Sequence, residues 1–206
     1  NGLAYVNKGS VYFDVSQFKD YGQLSGIKLK KTKTGTRVET DKYKEEAIDF
    51  VLWKKAKPNE PSWSSPWGRG RPGWHIECSA MSQKYLGPRF DIHGGAKDLI
   101  FPHHENEIAQ SEGATGQKPF VKYWLHSGLL KVNGQKMSKS LGNYIELPEA
   151  IKKFHPLVLR YFFLKTHYRS PIDFTEKALQ EASQSLERIW NFMEKIQEIK
   201  KTKKKT

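Results

Sequence analysis

The spacing of apolar residues divides the chain into three regimes. Over roughly the first sixty positions the pattern is short and alternating. Residues 5–15 and 27–39 each read as a hairpin, the second turning at Thr34-Gly35-Thr36. The lysine-rich stretch 28–33 fits an exposed edge strand, and residues 42–51 fit a short helix. A loop punctuated by Pro58, Pro61, Pro66, Gly68, Gly70, Pro72 and Gly73 closes this region. From Trp74 onward, helix and strand patterns alternate. A helix over 75–86 carries Ile76, Ala80 and Met81 on one side, and Phe90-Asp91-Ile92-His93 reads as a short buried strand. A helix over 102–112 stops at Gly113, and 123–130 is the next strand. A strand-turn follows over 129–134, then helices over 148–154 and 156–166. Residues 175–199 place Leu179, Ala182, Leu186, Ile189, Trp190, Met193 and Ile196 on one helical face.

Helix, strand, helix, strand at these lengths predicts an α/β fold with part of a parallel sheet. Ligands of such sheets sit beyond the carboxyl ends of the strands. His93-Gly94-Gly95 and His126-Ser127-Gly128 both fall at predicted strand ends, where polar groups and bare backbone would meet a nucleotide. The expected segments are 1–65, 66–130, 131–174 and 175–206, the last an apolar-faced helix with a basic tail.

Composition narrows the picture. The 206 residues hold 37% hydrophobic and 13% aromatic positions, enough for a globular core. No apolar run approaches the ~18–20 residues that span a bilayer, and no basic leader precedes an apolar stretch. Lacking an initial Met, Asn1-Gly2-Leu3 reads as a sequence entered part-way. The net charge of +13 favours a polyanionic partner, although residues 195–206 contribute six lysines against one glutamate as a solvated tail. The single cysteine, Cys78, excludes a disulfide framework and fits a reducing, cytoplasmic setting.

A lone cysteine is ordinarily a small buried hydrophobe, but its neighbours suggest chemistry. His103-His104-Glu105-Asn106-Glu107 puts two imidazoles and two carboxylates on one predicted helix. His103 is i,i+4 and His104 i,i+3 to Glu107, so either could share a metal with that carboxylate. Cys78 adds sulfur, completing a mixed S, N, O set suited to Zn²⁺. That makes three ligands, where a structural zinc wants four.

Lys136-Met137-Ser138-Lys139-Ser140 is a stronger signal. Two lysines and two serines on a Gly-flanked loop can follow a polyphosphate and neutralise its developing charge. This is the KMSKS motif of class I aminoacyl-tRNA synthetases, and the surrounding run 126–143 is in their style. Within that class the chain resembles cysteinyl-tRNA synthetase over essentially its full length. The match is carried by Gly70-Arg71-Pro72-Gly73-Trp74-His75-Ile76-Glu77-Cys78-Ser79-Ala80-Met81, by Asp91-Ile92-His93-Gly94-Gly95 and by 101–110. Val11-Tyr12-Phe13-Asp14-Val15 and 49–54 fit the family's connecting segment.

The resemblance implies the second half of a class I Rossmann-like catalytic domain, with a β-rich connective segment before it and a helical stem-contact and bundle segment after it. It implies one zinc held by two Cys, one His and one Glu, and assigns Cys78, His103 and Glu107. The second cysteine and the HIGH motif belong to an N-terminal half that this sequence does not contain. Trp74 and His93 are implied to line the amino-acid pocket, although Trp74 also fits a packing role beside the Gly/Pro loop. Lys139 is the implied principal phosphate contact, Lys136 shapes the loop with Ser138 and Ser140, and His126 and Gly128 approach the adenosine. The implied substrates are L-cysteine, Mg²⁺-ATP and tRNA(Cys), with zinc separating cysteine from serine through its thiolate. Activation and transfer would run mainly by positioning and charge stabilisation, and this chain alone would be inactive. A cysteine–amino sugar ligase of the same fold and a non-catalytic RNA-binding fragment are the alternatives.

Overall fold

The computed structural model describes residues 1–28 and 42–203, the side chains of 201–203 excepted. It forms two compact units, Asn1–Leu125 and His126–Thr206. The first opens with the expected hairpin. Strands β1 (Ala4–Asn7) and β2 (Ser10–Phe13) pair antiparallel, and β3 (Phe50–Lys55) and β4 (Gly70–Pro72) extend the sheet in the order β1-β2-β3-β4. Most of the predicted second hairpin, 27–39, lies outside the described residues.

No helix forms at 42–51. The buried Asp49 carboxylate accepts hydrogen bonds from the Tyr5 hydroxyl (2.8 Å) and from the N–H groups of Val15 (3.0 Å) and Glu46 (3.1 Å). This folds the segment into turns and delivers Phe50 to β3. Local Lys/Glu content favours helix, but a buried charge satisfied by long-range partners overrides that weak preference.

The α/β portion follows. Helix α1 (Trp74–Leu86) leads to β5 (Phe90–Ala96), α2 (Glu105–Thr115) and β6 (Val121–Ser127). The Phe90 N–H donates to the Phe120 carbonyl at 3.2 Å, and Gly94 abuts Leu125, so β5 and β6 run in one direction around α2. The strand expected to be buried is half-open, with Asp91 and Ile92 exposed. Among the described residues β5 pairs only with β6, so both edges of this two-stranded sheet are open, and Ile92, Tyr123 and Leu125 are exposed. The predicted helix over 102–112 begins later and ends later: residues Ile100–His104 make a wide helical turn interrupted by an extended Phe101, and Gly116 caps α2 in the left-handed region. Phe13, Phe18, Phe50 and Ala109 pack one core of this unit, and Ile108, Phe120 and Val121 another.

The second unit contains β7 (Leu130–Val132), β8 (Gln135–Lys136), α3 (Leu147–Lys153), α4 (Pro156–Leu164), β9 (Ile172–Phe174) and α5 (Glu176–Lys203). β9 was not evident in sequence; it pairs parallel with β7, whose other neighbour is the antiparallel β8. The predicted strand 123–130 is therefore two strands. Proline sits in the first turn of both α3 and α4, where a missing N–H costs nothing. Val158, Leu159 and Phe162 of α4 pack against Leu179, Ala182 and Leu186 of α5. No helix of the described residues is long and apolar enough to cross a membrane.

Candidate metal centre and phosphate loop

Three elements converge on Glu107. Cys78 comes from the second turn of α1, His93 from the middle of β5, and His103 from the wide turn that precedes α2. The i,i+4 spacing survives that irregular turn: His103 Nε2 lies 3.0 Å from Glu107 Oε1. On the other carboxylate oxygen, His93 Nε2 donates to Oε2 at 3.1 Å. Possible ligand atoms form two overlapping groups, Cys78–His103–Glu107 and His93–His104–Glu107, each within 4.8 Å. Only the first contains sulfur. His104 instead packs edge-on to β5, where a Cβ at Gly95 would stand 2.8 Å from its ring.

Glu107 and His103 are buried, whereas Cys78 is partly open. Burial pushes the Glu107 carboxyl up, but the imidazoles of His103 and His93 outweigh it and hold the group below the usual carboxylate range. Burial and the nearby Glu107 charge push the Cys78 thiol up. Glu107 Oε1 makes no hydrogen bond despite being buried, because His103 Nε2 approaches it outside hydrogen-bonding geometry. Orphaned buried carboxylate oxygen is costly unless something cationic meets it. A thiol, an imidazole nitrogen and that oxygen form a donor set that fits Zn²⁺.

His75 was missed in the sequence, although it lies three residues before Cys78 on the same helix. Its Nδ1 is 2.9 Å from His103 Nδ1, which turns His103 Nε2 toward Glu107. Burial, with His103 beside it, lowers its pKa to about 4, so it stays neutral. Gln110 fixes this turn of α1 by donating to the His75 carbonyl (2.7 Å) and to the Ser79 hydroxyl (2.6 Å). Trp74 is 60% exposed with its ring 4.7 Å from that of His103, and so forms an open wall rather than core. Trp124, also missed, meets the His93 ring edge-on and the His104 ring at a tilt, each with centroids 4.9 Å apart.

The second unit carries the lysine-serine loop. Asn143 closes it, its Oδ1 accepting from the Ser138 N–H (2.8 Å) and its Nδ2 donating to the Lys136 carbonyl (3.1 Å). Ser138 caps the single turn Lys139–Leu141, and its hydroxyl lies 3.2 Å from that of Ser140. Lys136 and Lys139 are exposed, with Lys139 over the Tyr144 ring. Gly128 has a packing reason for lacking a side chain: a Cβ there would stand 2.1 Å from the Ser170 carbonyl oxygen. His126 is half-buried near the end of β6.

The family model for the catalytic domain of class I (C) tRNA synthetases matches residues 1–184. The cysteine–tRNA ligase of Carboxydothermus hydrogenoformans is 60% identical over 198 residues, 96% of this chain and 42% of that protein. That of Thermococcus onnurineus is 60% identical over 195 residues, 95% of this chain and 41% of that protein. That of Pelotomaculum thermopropionicum is 61% identical over 188 residues, 91% of this chain and 39% of that protein. The chain thus spans about two-fifths of the length of the curated relatives it matches. A solved putative arginyl-tRNA synthetase from Campylobacter jejuni overlaps it only loosely, at TM-score 0.46 and 14% identity over 84% of this chain and 30% of that one. With nine-tenths of its residues inside one domain family, the chain belongs to the class I (C) tRNA synthetase catalytic domains.

Proposed function

We propose that this chain is the zinc-bearing and KMSKS-bearing part of a cysteine–tRNA ligase, which activates L-cysteine with Mg²⁺-ATP and transfers it to tRNA(Cys). The observation that carries the reading is the meeting of the Cys78 thiol, His103 Nε2 and the orphaned Glu107 Oε1. These three would hold the ion, with His75 orienting His103. Zinc bound there would supply a soft Lewis acid that favours a thiolate over an alcohol, the distinction between cysteine and serine. In this reading Trp74, packed on His103, walls the amino-acid side, and His93, anchored on Glu107, lines the same pocket. Lys139 contacts the phosphates, Lys136 completes the loop with Ser138 and Ser140, and His126 and Gly128 lie toward the adenosine. Identities near 60% to cysteine–tRNA ligases support this assignment, and their greater length supports an isolated chain that is inactive.

Cysteine-dependent ATP–pyrophosphate exchange tests the proposal. The 206-residue chain alone is expected to give none. The full-length protein bearing it should exchange with cysteine and not with serine, and lose exchange in His103→Ala. Equal exchange with serine, or full activity of His103→Ala, would overturn it.

A further inference from the structure

Four of the six tryptophans fall between positions 53 and 74, and the metal centre uses only Trp74. The other three belong to the hairpin made by β3, the Pro/Gly loop and β4. Trp63 and Trp67 are 59% and 45% exposed, unusual for the largest apolar side chain. They are nevertheless held in place. Trp63 and Gly70 exchange two backbone hydrogen bonds, of 2.7 and 3.0 Å. Trp53 lies directly under that bridge, since a Cβ on Gly70 would stand 2.3 Å from its indole nitrogen. The Ser65 hydroxyl accepts from the Trp67 N–H (3.2 Å) and donates to the Gly68 carbonyl (2.6 Å). Two exposed indoles on pinned backbone make a rigid surface that pays little entropy on stacking.

The same hairpin carries five cations, Lys54, Lys55, Lys57, Arg69 and Arg71, and one carboxylate, Glu60. Lys55 opposes Gly70 in the register and so shares a face with Trp63. Arg69 donates to the Ser62 carbonyl (2.9 Å), and Arg71 sits 3.8 Å from Glu60. Aromatic faces interleaved with excess cationic charge complement bases and phosphates together, the combination that binds single strands without reading sequence.

We propose that the hairpin between β3 and β4 is a stacking platform for single-stranded RNA, with Trp63 and Trp67 taking bases and Lys55 and its neighbours the backbone. Resting on the synthetase reading, this makes the hairpin the seat of the unpaired 3′ end of the tRNA.

The test uses fluorescence anisotropy of the full-length protein with a labelled single-stranded RNA of about eight nucleotides, within the ~4–16 nucleotide range of such sites. The same strand in a blunt duplex, and a tRNA transcript with and without its unpaired 3′ end, serve as companions. The double variant Trp63→Ala/Trp67→Ala should weaken single-strand binding about tenfold or more and leave duplex binding within twofold. Trp63→Phe/Trp67→Phe, which keeps the π faces, should restore most of the affinity. Lys55→Ala should weaken both RNAs alike and reduce the salt slope by about one. The proposal is overturned if the double alanine variant, with an unchanged melting curve, binds the single strand as the parent does or loses duplex equally. It is equally overturned if an acidic peptide competes as well as RNA. Retained tRNA binding with no preference for the unpaired end sinks the platform alone, whereas no tRNA binding at all by the parent sinks the synthetase reading.

Discussion

The helix that supplies Glu107 and the loop that supplies Lys139 are both polar in sequence, yet the fold treats them oppositely. Every residue from His103 to Glu112 is buried. Glu105 takes the N–H groups of Gly22 (2.8 Å), Leu24 (3.2 Å) and Ser25 (2.7 Å), and Asn106 accepts from the Tyr21 hydroxyl at 2.5 Å. Ser111 and Gln110 both reach Ser79. The lysine-serine loop, by contrast, is closed mainly by Asn143 and leaves its lysines in solvent. A metal centre on the helix would need ligands fixed to a few tenths of an ångström, which dry and over-determined supports provide. A phosphate grip in the loop would need long cations that can follow a charge as it develops, which sparse supports allow.

That contrast can be broken most severely at Glu105. Its replacement by alanine would strand three backbone donors in the interior and should cost about 3–5 kcal/mol. Urea unfolding measures this, and a loss below ~1 kcal/mol would show that the polar contacts of α2 are not what fix it. Next in size is Cys78→Ser. Outer partners of metal ligands already cost about 10–100-fold in affinity, so losing the sulfur itself should cost ~100-fold or more in zinc binding by competition with a chromophoric chelator. With no metal added, the variant's unfolding midpoint should match the parent's.

Acidity sharpens the same comparison. The metal-free Cys78 thiol is held above its ordinary range by burial and by Glu107, so it must lose a proton when zinc binds. Acid favours the free, protonated form. Zinc affinity should fall about tenfold for each pH unit of acidification below the thiol pKa, whereas inorganic tripolyphosphate binding at the lysines should not follow that slope. The smallest effect belongs to Lys139→Ala. Exposed and outside any core, the substitution should change stability by less than ~0.5 kcal/mol while weakening tripolyphosphate binding in a calorimetric titration. A large loss of stability there would mean the loop is built like the helix.

The two regions were also unequally legible in the sequence. The loop was readable because its pattern is local: lysines, serines and a glycine lie within eight positions. The His103–Glu107 pair was readable from helical spacing, although the helix proper starts only at Glu105. What spacing could not show is that α2 is buried on all sides. Its charges are satisfied by residues about eighty positions away, and a polar helix read alone belongs on a surface. His75 and Trp124 were hidden for the same reason, since each matters through a ring contact across elements. β9 holds three residues and gains its meaning only from its parallel partner β7. The segment 42–51 misled because helix-forming lysines and glutamates there serve a turn around Asp49.

Cobalt(II) titration of the metal-free chain tests the central claim most directly, because a sulfur-to-cobalt charge-transfer band here has only one possible source. One equivalent of cobalt should bind with that band present, Cys78→Ser should abolish it, and His103→Ala and Glu107→Gln should each weaken it. A chain that takes up no cobalt, or a band that survives in Cys78→Ser, would contradict the account.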